Sequence, residues 1–183
     1  RQKPLDDSKL GFGLTITNHM FMMDYNAEKQ WHNPRVEPYG PLHLYPEAVI
    51  LHIAQGAFEG LKAYRGKSDE IYLFRAKDNF KRLLKTCDRM CIPLFPEEYA
   101  YEGLKKLIEV DKEWIPSSPG TSLYFRPNII ATENFVGVRP AKEFLFYIIA
   151  SPVGAYLAEG LATIKIMVED KYTRAALGGT GDV

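Results

Sequence analysis

The sequence predicts an α+β fold in which an antiparallel sheet is flanked by helices, and two observations support this. Stretches 16–24, 70–74, 123–131 and 143–151 have the composition of strands, and the last two are rich in β-branched and aromatic residues bounded by Pro or Gly. Some of these strands follow one another without a helix between them, which favours antiparallel pairing.

An apolar stripe predicts a helix over 77–90. Phe80, Leu83, Leu84, Cys87 and Cys91 recur at i, i+3, i+4, i+7 and i+11, the spacing of an amphipathic helix that packs on a sheet. Both thiols are therefore expected to be reduced and to line a core face.

A second helix is predicted to begin at Pro96 and to end near 114–116. Proline loses no needed donor in a first turn, and Glu97 and Glu98 oppose the helix macrodipole there. Leu104, Leu107 and Ile108 form its buried side.

Composition and charge favour a folded protein that binds small molecules. The chain has 183 residues, 46% of them hydrophobic, and its 23 Lys and Arg balance 23 Asp and Glu. That balance provides no broad positive field for nucleic acid or an anionic membrane. The longest apolar stretches fall short of the ~20 residues that a membrane helix needs, so we expect a cytoplasmic protein.

The character of the chain changes after Gly154. A domain boundary is predicted near residue 155, which separates an α+β domain over 1–155 from a segment over 156–183. In that segment 163–168 resembles a strand, but no helix is predicted to complete a core.

Arg82 and the passage around Tyr124 are the candidate ligand-binding groups. Arg82 projects about 200° from Phe80 on the predicted helix, so it is either a solvated surface residue or a phosphate ligand, and periodicity leaves both open. Strand alternation brings Tyr124 and Arg126 to one face, where they could hold a carboxylate. The alternative is an exposed cross-strand pair, with Pro127 marking a sheet edge.

Several common motifs are absent from the sequence. The turn Gly178-Gly179-Thr180-Gly181 lacks the Lys-Ser/Thr of a P-loop and does not form a dinucleotide fingerprint. The two cysteines and four histidines do not have the spacing of a zinc site, and no nucleophile elbow occurs. These observations argue against nucleotide, metal and serine-hydrolase chemistry.

Six passages in order resemble the fold-type IV aminotransferases, and among these the branched-chain amino acid aminotransferases. The resemblance covers nearly the whole chain, and the passages that carry it are Thr17-Asn18-His19-Met20, Phe58-Glu59-Gly60-Leu61-Lys62-Ala63-Tyr64, Leu73-Phe74-Arg75, Gly120-Thr121-Ser122-Leu123-Tyr124-Phe125-Arg126-Pro127, Ser151-Pro152-Val153-Gly154-Ala155-Tyr156 and Gly178-Gly179-Thr180-Gly181-Asp182. The resemblance implies the N-terminal domain of that fold, followed by the first strands of the C-terminal pseudo-barrel domain, which binds the cofactor.

The resemblance also implies roles for individual residues. Arg82 matches the arginine that binds the phosphate of pyridoxal 5'-phosphate, while Tyr124 and Arg126 match the pair that receives the side-chain carboxylate of glutamate or 2-oxoglutarate. The aromatic walls of the substrate pocket correspond to Phe12, Phe58 and Tyr156. Val138, on the loop 134–139, matches a residue that reaches the partner subunit's site in a homodimer.

The implied reaction moves an amino group between leucine, isoleucine or valine and 2-oxoglutarate. In the family the terminal glycine turn leads into the lysine that binds the cofactor covalently, so that lysine is expected directly after Val183. One departure is Ile53, where relatives usually have a tyrosine, and Lys62 is expected near the pocket without a clear role.

Other functions remain open at this point. A D-amino acid aminotransferase or an aminodeoxychorismate lyase would share the fold, although 121–127 and the long N-terminal segment fit them less well. A non-catalytic binding or dimerisation module is the alternative from a different class.

Overall fold

A mixed α/β architecture built on one antiparallel sheet is observed, as predicted. The computed structural model describes residues 2–4, 6–154, 163 and 165–181. Within those residues seven strands form a sheet in the order β2-β1-β7-β6-β4-β5, with β3 paired to β6, and all pairings are antiparallel. The strands are β1 His19–Asn26, β2 Gln30–Pro38, β3 Gly56–Phe58, β4 Leu61–Arg65, β5 Ile71–Leu73, β6 Ser122–Ala131 and β7 Phe144–Val153.

Two long helices cover one face of the sheet, where the apolar stripes predict them, but the second ends at Val110 and not at the predicted 114–116, because a separate 3₁₀ turn follows it. The helices are α1 Val49–His52, α2 Ala76–Arg89 and α3 Glu97–Val110, and a short 3₁₀ turn, Lys112–Trp114, follows α3. Phe80, Leu83 and Cys87 of α2 are at most 1% exposed and join the main hydrophobic core. The amphipathic pattern therefore identified the correct face of α2.

Cys91 does not line the core, contrary to the prediction. The helix α2 ends at Arg89, and Cys91 follows it with a positive φ of 54°, so the helical spacing no longer applies. Cys87 is buried and Cys91 is exposed, and both are free thiols. Burial raises the pKa of the Cys87 thiol to about 12.

The strand predicted over 163–168 does not form in the described residues of that stretch. Residue 163 and residues 165–168 have no regular secondary structure, and Ile166, Met167 and Val168 are 79–86% exposed. A strand needs the hydrogen bonds of a neighbouring strand, and none pairs with this stretch in the described part of the chain. The predicted boundary at 155 lies outside the described residues.

The two faces of β6 have different environments. Phe125, Pro127 and Ile129 point into the helix-covered core, whereas Tyr124 and Arg126 are half-buried on the opposite face. The alternation of a strand produces this division. The second face also carries a smaller apolar cluster around Met20, Met22 and Leu145.

Pro127 lies in the interior of the sheet, so the alternative in which it marks an edge does not hold. On one side β6 pairs continuously with β7, and on the other it pairs with β3 and with β4. Residues 59 and 60 interrupt the ladder between β3 and β4, and Pro127 lies opposite this interruption. Its carbonyl oxygen accepts a hydrogen bond from the Glu59 N–H at 2.9 Å. The missing N–H of proline therefore falls where the ladder is already broken.

No helix among the described residues is long and apolar enough to cross a bilayer.

Candidate functional site

Four of the predicted site residues lie together on the open face of the sheet. The Arg126 Nε donates a hydrogen bond to the Tyr124 hydroxyl at 3.1 Å. The Arg126 guanidinium carbon lies 4.5 Å from the centre of the Phe58 ring. The rings of Phe12 and Tyr124 have centroids 5.0 Å apart. We call Phe12, Phe58, Tyr124 and Arg126 the aromatic–arginine cluster.

Different elements position the members of this cluster. Tyr124 and Arg126 alternate along β6, and Phe58 lies on β3 opposite Asn128. Phe12 lies on the N-terminal segment. The Asp7 carboxylate holds this segment by accepting hydrogen bonds from the N–H groups of Ser117 and Ser118 at 3.0 and 3.3 Å.

The absence of a side chain at Gly60 makes room for Tyr124. A Cβ at position 60 would collide with the Tyr124 hydroxyl, and it would lie only 2.9 Å from the ring atom Cζ of Tyr124. The close approach of backbone and phenol therefore requires glycine.

Among the described residues, no acidic side chain neutralises the positive charge of Arg126 at close range. In the described part of the chain its contacts are the Tyr124 hydroxyl and the faces of the Phe58 and Tyr124 rings, and none of them is a carboxylate. Burial raises the pKa of the neighbouring Tyr147 phenol, Tyr39 adds to that effect, and the Arg126 charge opposes it. An arginine in this state can accept a carboxylate from a ligand, since it has donors and charge left to offer.

A second feature, which we call the Arg82 cavity, begins next to Phe58. It has a volume of about 420 Å³ and is lined by residues of 56–60, by Arg82 and Thr86 of α2, and by Arg174 and Gly181 of the last described segment. Arg89 of α2 also donates a hydrogen bond to the Gly178 carbonyl at 3.0 Å, so the glycine-rich turn lies against this helix.

Arg82 forms an ion pair with a buried carboxylate in this cavity. Its Nε donates to Glu59 Oε2 at 2.6 Å, and its Nη2 donates to Oε1. The Glu59 side chain is 4% exposed, whereas that of Arg82 is 68% exposed. The hydrogen bonds and charge of Glu59 raise the pKa of Arg82 above its usual range.

The groups around the Arg82 cavity fit a phosphate. Two guanidinium groups and a hydroxyl line it, and a planar guanidinium offers paired N–H donors that match phosphate oxygens. Among the described residues that line the cavity, Glu59 is the only acidic one, and Arg82 offsets its charge. The donors of the two guanidinium groups and the Thr86 hydroxyl therefore suit an anion.

The remaining predicted residues have other locations. Val138 is 94% exposed on its loop. Tyr156 lies outside the described residues. Lys62 is half-buried and lies directly opposite Tyr124 in the β4–β6 ladder, and Ile53 is 37% exposed.

Sequence reasoning missed two polar contacts between distant parts of the chain. The Asp111 carboxylate, 2% exposed, accepts a hydrogen bond from the His19 N–H at 3.1 Å and contacts His19 Nδ1 at 2.7 Å. Glu59 was visible only as part of a motif, and its pairing with Arg82 was not predicted. No local spacing signals either pair, because the partners lie 92 and 23 positions apart.

Comparisons with curated proteins identify relatives along the whole chain. Branched-chain-amino-acid aminotransferase 2 of Bacillus subtilis (strain 168) is 50% identical over 182 residues, which is 100% of this chain and 50% of that protein. Branched-chain-amino-acid transaminase 1 of the same organism is 47% identical over 99% of this chain and 51% of that protein. The chain thus spans about half the length of these relatives. No protein-family model matches it.

Solved structures show the same fold at lower identity. The branched-chain amino acid aminotransferase of Escherichia coli is 21% identical with a TM-score of 0.60, covering 77% of this chain and 41% of that chain. The corresponding enzyme of T.th., solved with pyridoxamine 5'-phosphate, is 23% identical with a TM-score of 0.57 over the same shares, 77% and 41%. Over its whole length this chain is homologous to branched-chain aminotransferases, and the family resemblance that its motifs carry is confirmed.

Proposed function

We propose that the protein transfers the amino group of leucine, isoleucine or valine to 2-oxoglutarate, with pyridoxal 5'-phosphate as cofactor. The aromatic–arginine cluster, within a chain 50% identical to a branched-chain aminotransferase, is the observation that carries this proposal. In this proposal the chain supplies one wall of the active site.

The cluster suits two kinds of substrate side chain. Phe12 and Phe58 offer apolar surface for a branched aliphatic group, while Arg126 offers a cation for the distal carboxylate of 2-oxoglutarate or glutamate. Because Arg126 has no carboxylate partner among the described residues, an acidic substrate can bind it without breaking an ion pair. Tyr124 holds the Arg126 Nε and so orients the remaining donors.

The Arg82 cavity is proposed to hold the phosphate of the cofactor. Arg82 would bind its oxygens, with Thr86 and Arg174 nearby. When bound, the cofactor supplies the electron sink that amino-group transfer needs. The residues of this chain bind and orient, while the covalent attachment is expected at the lysine predicted to follow Val183.

The loop around Val138 is proposed to contact the partner in a homodimer. The carboxylate of Glu133 receives two hydrogen bonds from Arg139, at 2.8 and 3.0 Å, and the Arg139 guanidinium lies 3.9 Å from the Phe135 ring centre. These contacts hold the loop in place, and on it the side chains of Val136 and Val138 are 75% and 94% exposed to solvent. Apolar side chains held out in this way suit a protein contact.

The proposed function is tested on the purified whole protein by its absorbance and its activity. We expect the visible absorbance of a bound cofactor and the formation of glutamate from leucine and 2-oxoglutarate. D-Alanine in place of leucine is the control, since it should give no glutamate. A protein without cofactor or activity would instead indicate a binding module, and activity with D-alanine would indicate a D-amino acid aminotransferase.

The proposed cellular location is the cytoplasm, and fractionation of the source cells tests it. Recovery of the transaminase activity with membranes would contradict this.

A further inference from the structure

We infer that Glu59 is a positioning residue, which fixes the guanidinium of Arg82 so that its outer edge meets a phosphate group. The inference rests on the proposed role of Arg82 in binding the cofactor. It assigns a function to the one acidic side chain that the described part of the chain contributes to the lining of the Arg82 cavity.

The burial of Glu59 indicates that its carboxylate is held in one place. Its side chain is 4% exposed, and a charge removed from water at this depth is costly unless it is paired and hydrogen-bonded. Both oxygens are used: Oε2 accepts from Arg82 Nε at 2.6 Å, and Oε1 accepts from the Gly60 N–H at 2.7 Å as well as from Arg82 Nη2.

The backbone around Glu59 is tied to two separate elements. The Glu59 N–H donates to the Pro127 carbonyl of β6 at 2.9 Å, and the Gly60 carbonyl accepts from Asn79 Nδ2 of α2 at 3.3 Å. Asn79 precedes Arg82 by three residues, so it lies on the same side of the helix. These hydrogen bonds to β6 and α2 fix the backbone that carries the Glu59 carboxylate. The arginine that this carboxylate binds projects from α2.

The ion pair with Glu59 uses one edge of the Arg82 guanidinium and leaves the other edge available to a ligand. Arginine has five N–H donors in a planar fork. Glu59 takes the edge formed by Nε and Nη2, and among the described residues no hydrogen bond from Nη1 is found. The Arg82 side chain stays 68% exposed and lines the cavity. A guanidinium with its inner edge fixed presents its outer edge in a single orientation, which lowers the entropy lost when a ligand binds.

This arrangement differs from an ordinary surface ion pair. Two exposed charges hold each other weakly, because both side chains remain mobile in water. Here the carboxylate is buried and anchored, and only the arginine reaches the solvent. The asymmetry is what a positioning role requires.

The test measures how two forms of the cofactor bind to the whole protein after the cofactor has been removed. Dissociation constants are measured for pyridoxal 5'-phosphate and for pyridoxal, which lacks the phosphate. Glu59→Gln should weaken pyridoxal 5'-phosphate about 10-fold and leave pyridoxal within about 2-fold, since loss of a charge-assisted hydrogen bond acts on the phosphate contact alone. Glu37→Gln, which removes another carboxylate paired with an arginine, is the matched control and should change neither constant.

Two outcomes would overturn the inference. Equal weakening of both ligands by Glu59→Gln would mean that Glu59 only supports the local fold, and no weakening of either would mean that Arg82 needs no positioning. The variant Arg82→Ala distinguishes a failure of this inference from a failure of the proposed function. If it lowers the affinity for the phosphorylated form while Glu59→Gln does not, only the inference fails, and if it lowers neither, the proposed role of Arg82 fails as well.

Discussion

Arg82 and Arg126 carry the same guanidinium group in opposite surroundings. Arg82 is 68% exposed and paired with a buried carboxylate, whereas Arg126 is half-buried against aromatic rings and has no carboxylate partner in the described part of the chain. The first arginine is held by a charge, and the second by a phenol and a ring face. The difference indicates two kinds of anion site, one fixed in orientation and one free to exchange its anion.

The division suits the two proposed ligands. A cofactor phosphate stays bound through many turnovers, and a rigid guanidinium favours tight binding. A substrate carboxylate must bind and leave in each cycle, and Arg126 would alternate between an acidic and an apolar ligand. A competing carboxylate beside Arg126 would oppose that exchange, and none of the described residues supplies one.

The largest expected effect comes from the buried layer beneath Arg126. Phe125 is 0% exposed, and Phe125→Ala should lower the free energy of unfolding by about 3–5 kcal/mol because it leaves a cavity. Phe74→Ala is the control, since a 74% exposed ring should cost no more than about 0.5 kcal/mol. Urea unfolding followed by circular dichroism measures both. Similar losses in the two variants would mean that β6 does not rest on this core.

Arg126→Ala should separate the two substrates. We expect the half-reaction with 2-oxoglutarate to lose about 10- to 100-fold in kcat/KM, because a charged hydrogen bond is worth about 1.5–3 kcal/mol, while the half-reaction with leucine changes much less. Single-turnover measurements with each substrate give the two values. Arg126→Lys keeps the charge but not the paired donors, so it should fall between the wild type and the alanine variant. Equal losses for both substrates would refute the carboxylate role.

Tyr124→Phe should have a smaller effect in the same direction. It removes the hydroxyl that accepts the Arg126 Nε hydrogen bond at 3.1 Å but keeps the ring beside Phe12. The affinity for 2-oxoglutarate should fall by about 2- to 10-fold, in line with ~0.5–1.5 kcal/mol for one hydrogen bond. Inhibition by a non-reactive dicarboxylate measures it. An unchanged constant would show that the ring faces at positions 58 and 124 orient Arg126 without the hydroxyl.

The smallest effect concerns the loop that carries Val138. The hydrogen bonds from Arg139 hold the pKa of Glu133 below its usual value of 4.5. This pair therefore contributes its full stability above pH 4.5, and that contribution is lost as the pH falls through the lowered value. Glu133→Gln should remove part of the acid sensitivity of unfolding, measured from pH 7 to about pH 3. The same slope in both proteins would contradict the assignment.

The sequence predicted those features that depend on local periodicity. The apolar stripe of α2 correctly predicted that Arg82 points away from the core. The alternation of a strand correctly predicted that Tyr124 and Arg126 lie on one face. Both follow from fixed residue spacings. The prediction that Cys91 lines the core was wrong because the helical periodicity was extended beyond the last helical residue, Arg89.

Long-range contacts could not be predicted in this way. The pairing of Glu59 with Arg82 depends on how β3, β4 and α2 come together, and no spacing of 23 residues encodes it. An edge position for Pro127 was left open as an alternative because proline usually avoids interior strands. The interruption of the ladder opposite it becomes visible only when β3 and β4 are seen to pair with the same strand.

The division of labour between the two arginines is tested most directly by comparing Arg82→Ala and Arg126→Ala in the whole protein. For each variant, the affinity for pyridoxal 5'-phosphate relative to pyridoxal and the kcat/KM for 2-oxoglutarate relative to leucine are measured. The account predicts a crossed result, in which Arg82→Ala lowers the first ratio alone and Arg126→Ala lowers the second alone. A variant that lowers both ratios equally, or an exchange of the two effects, would contradict it.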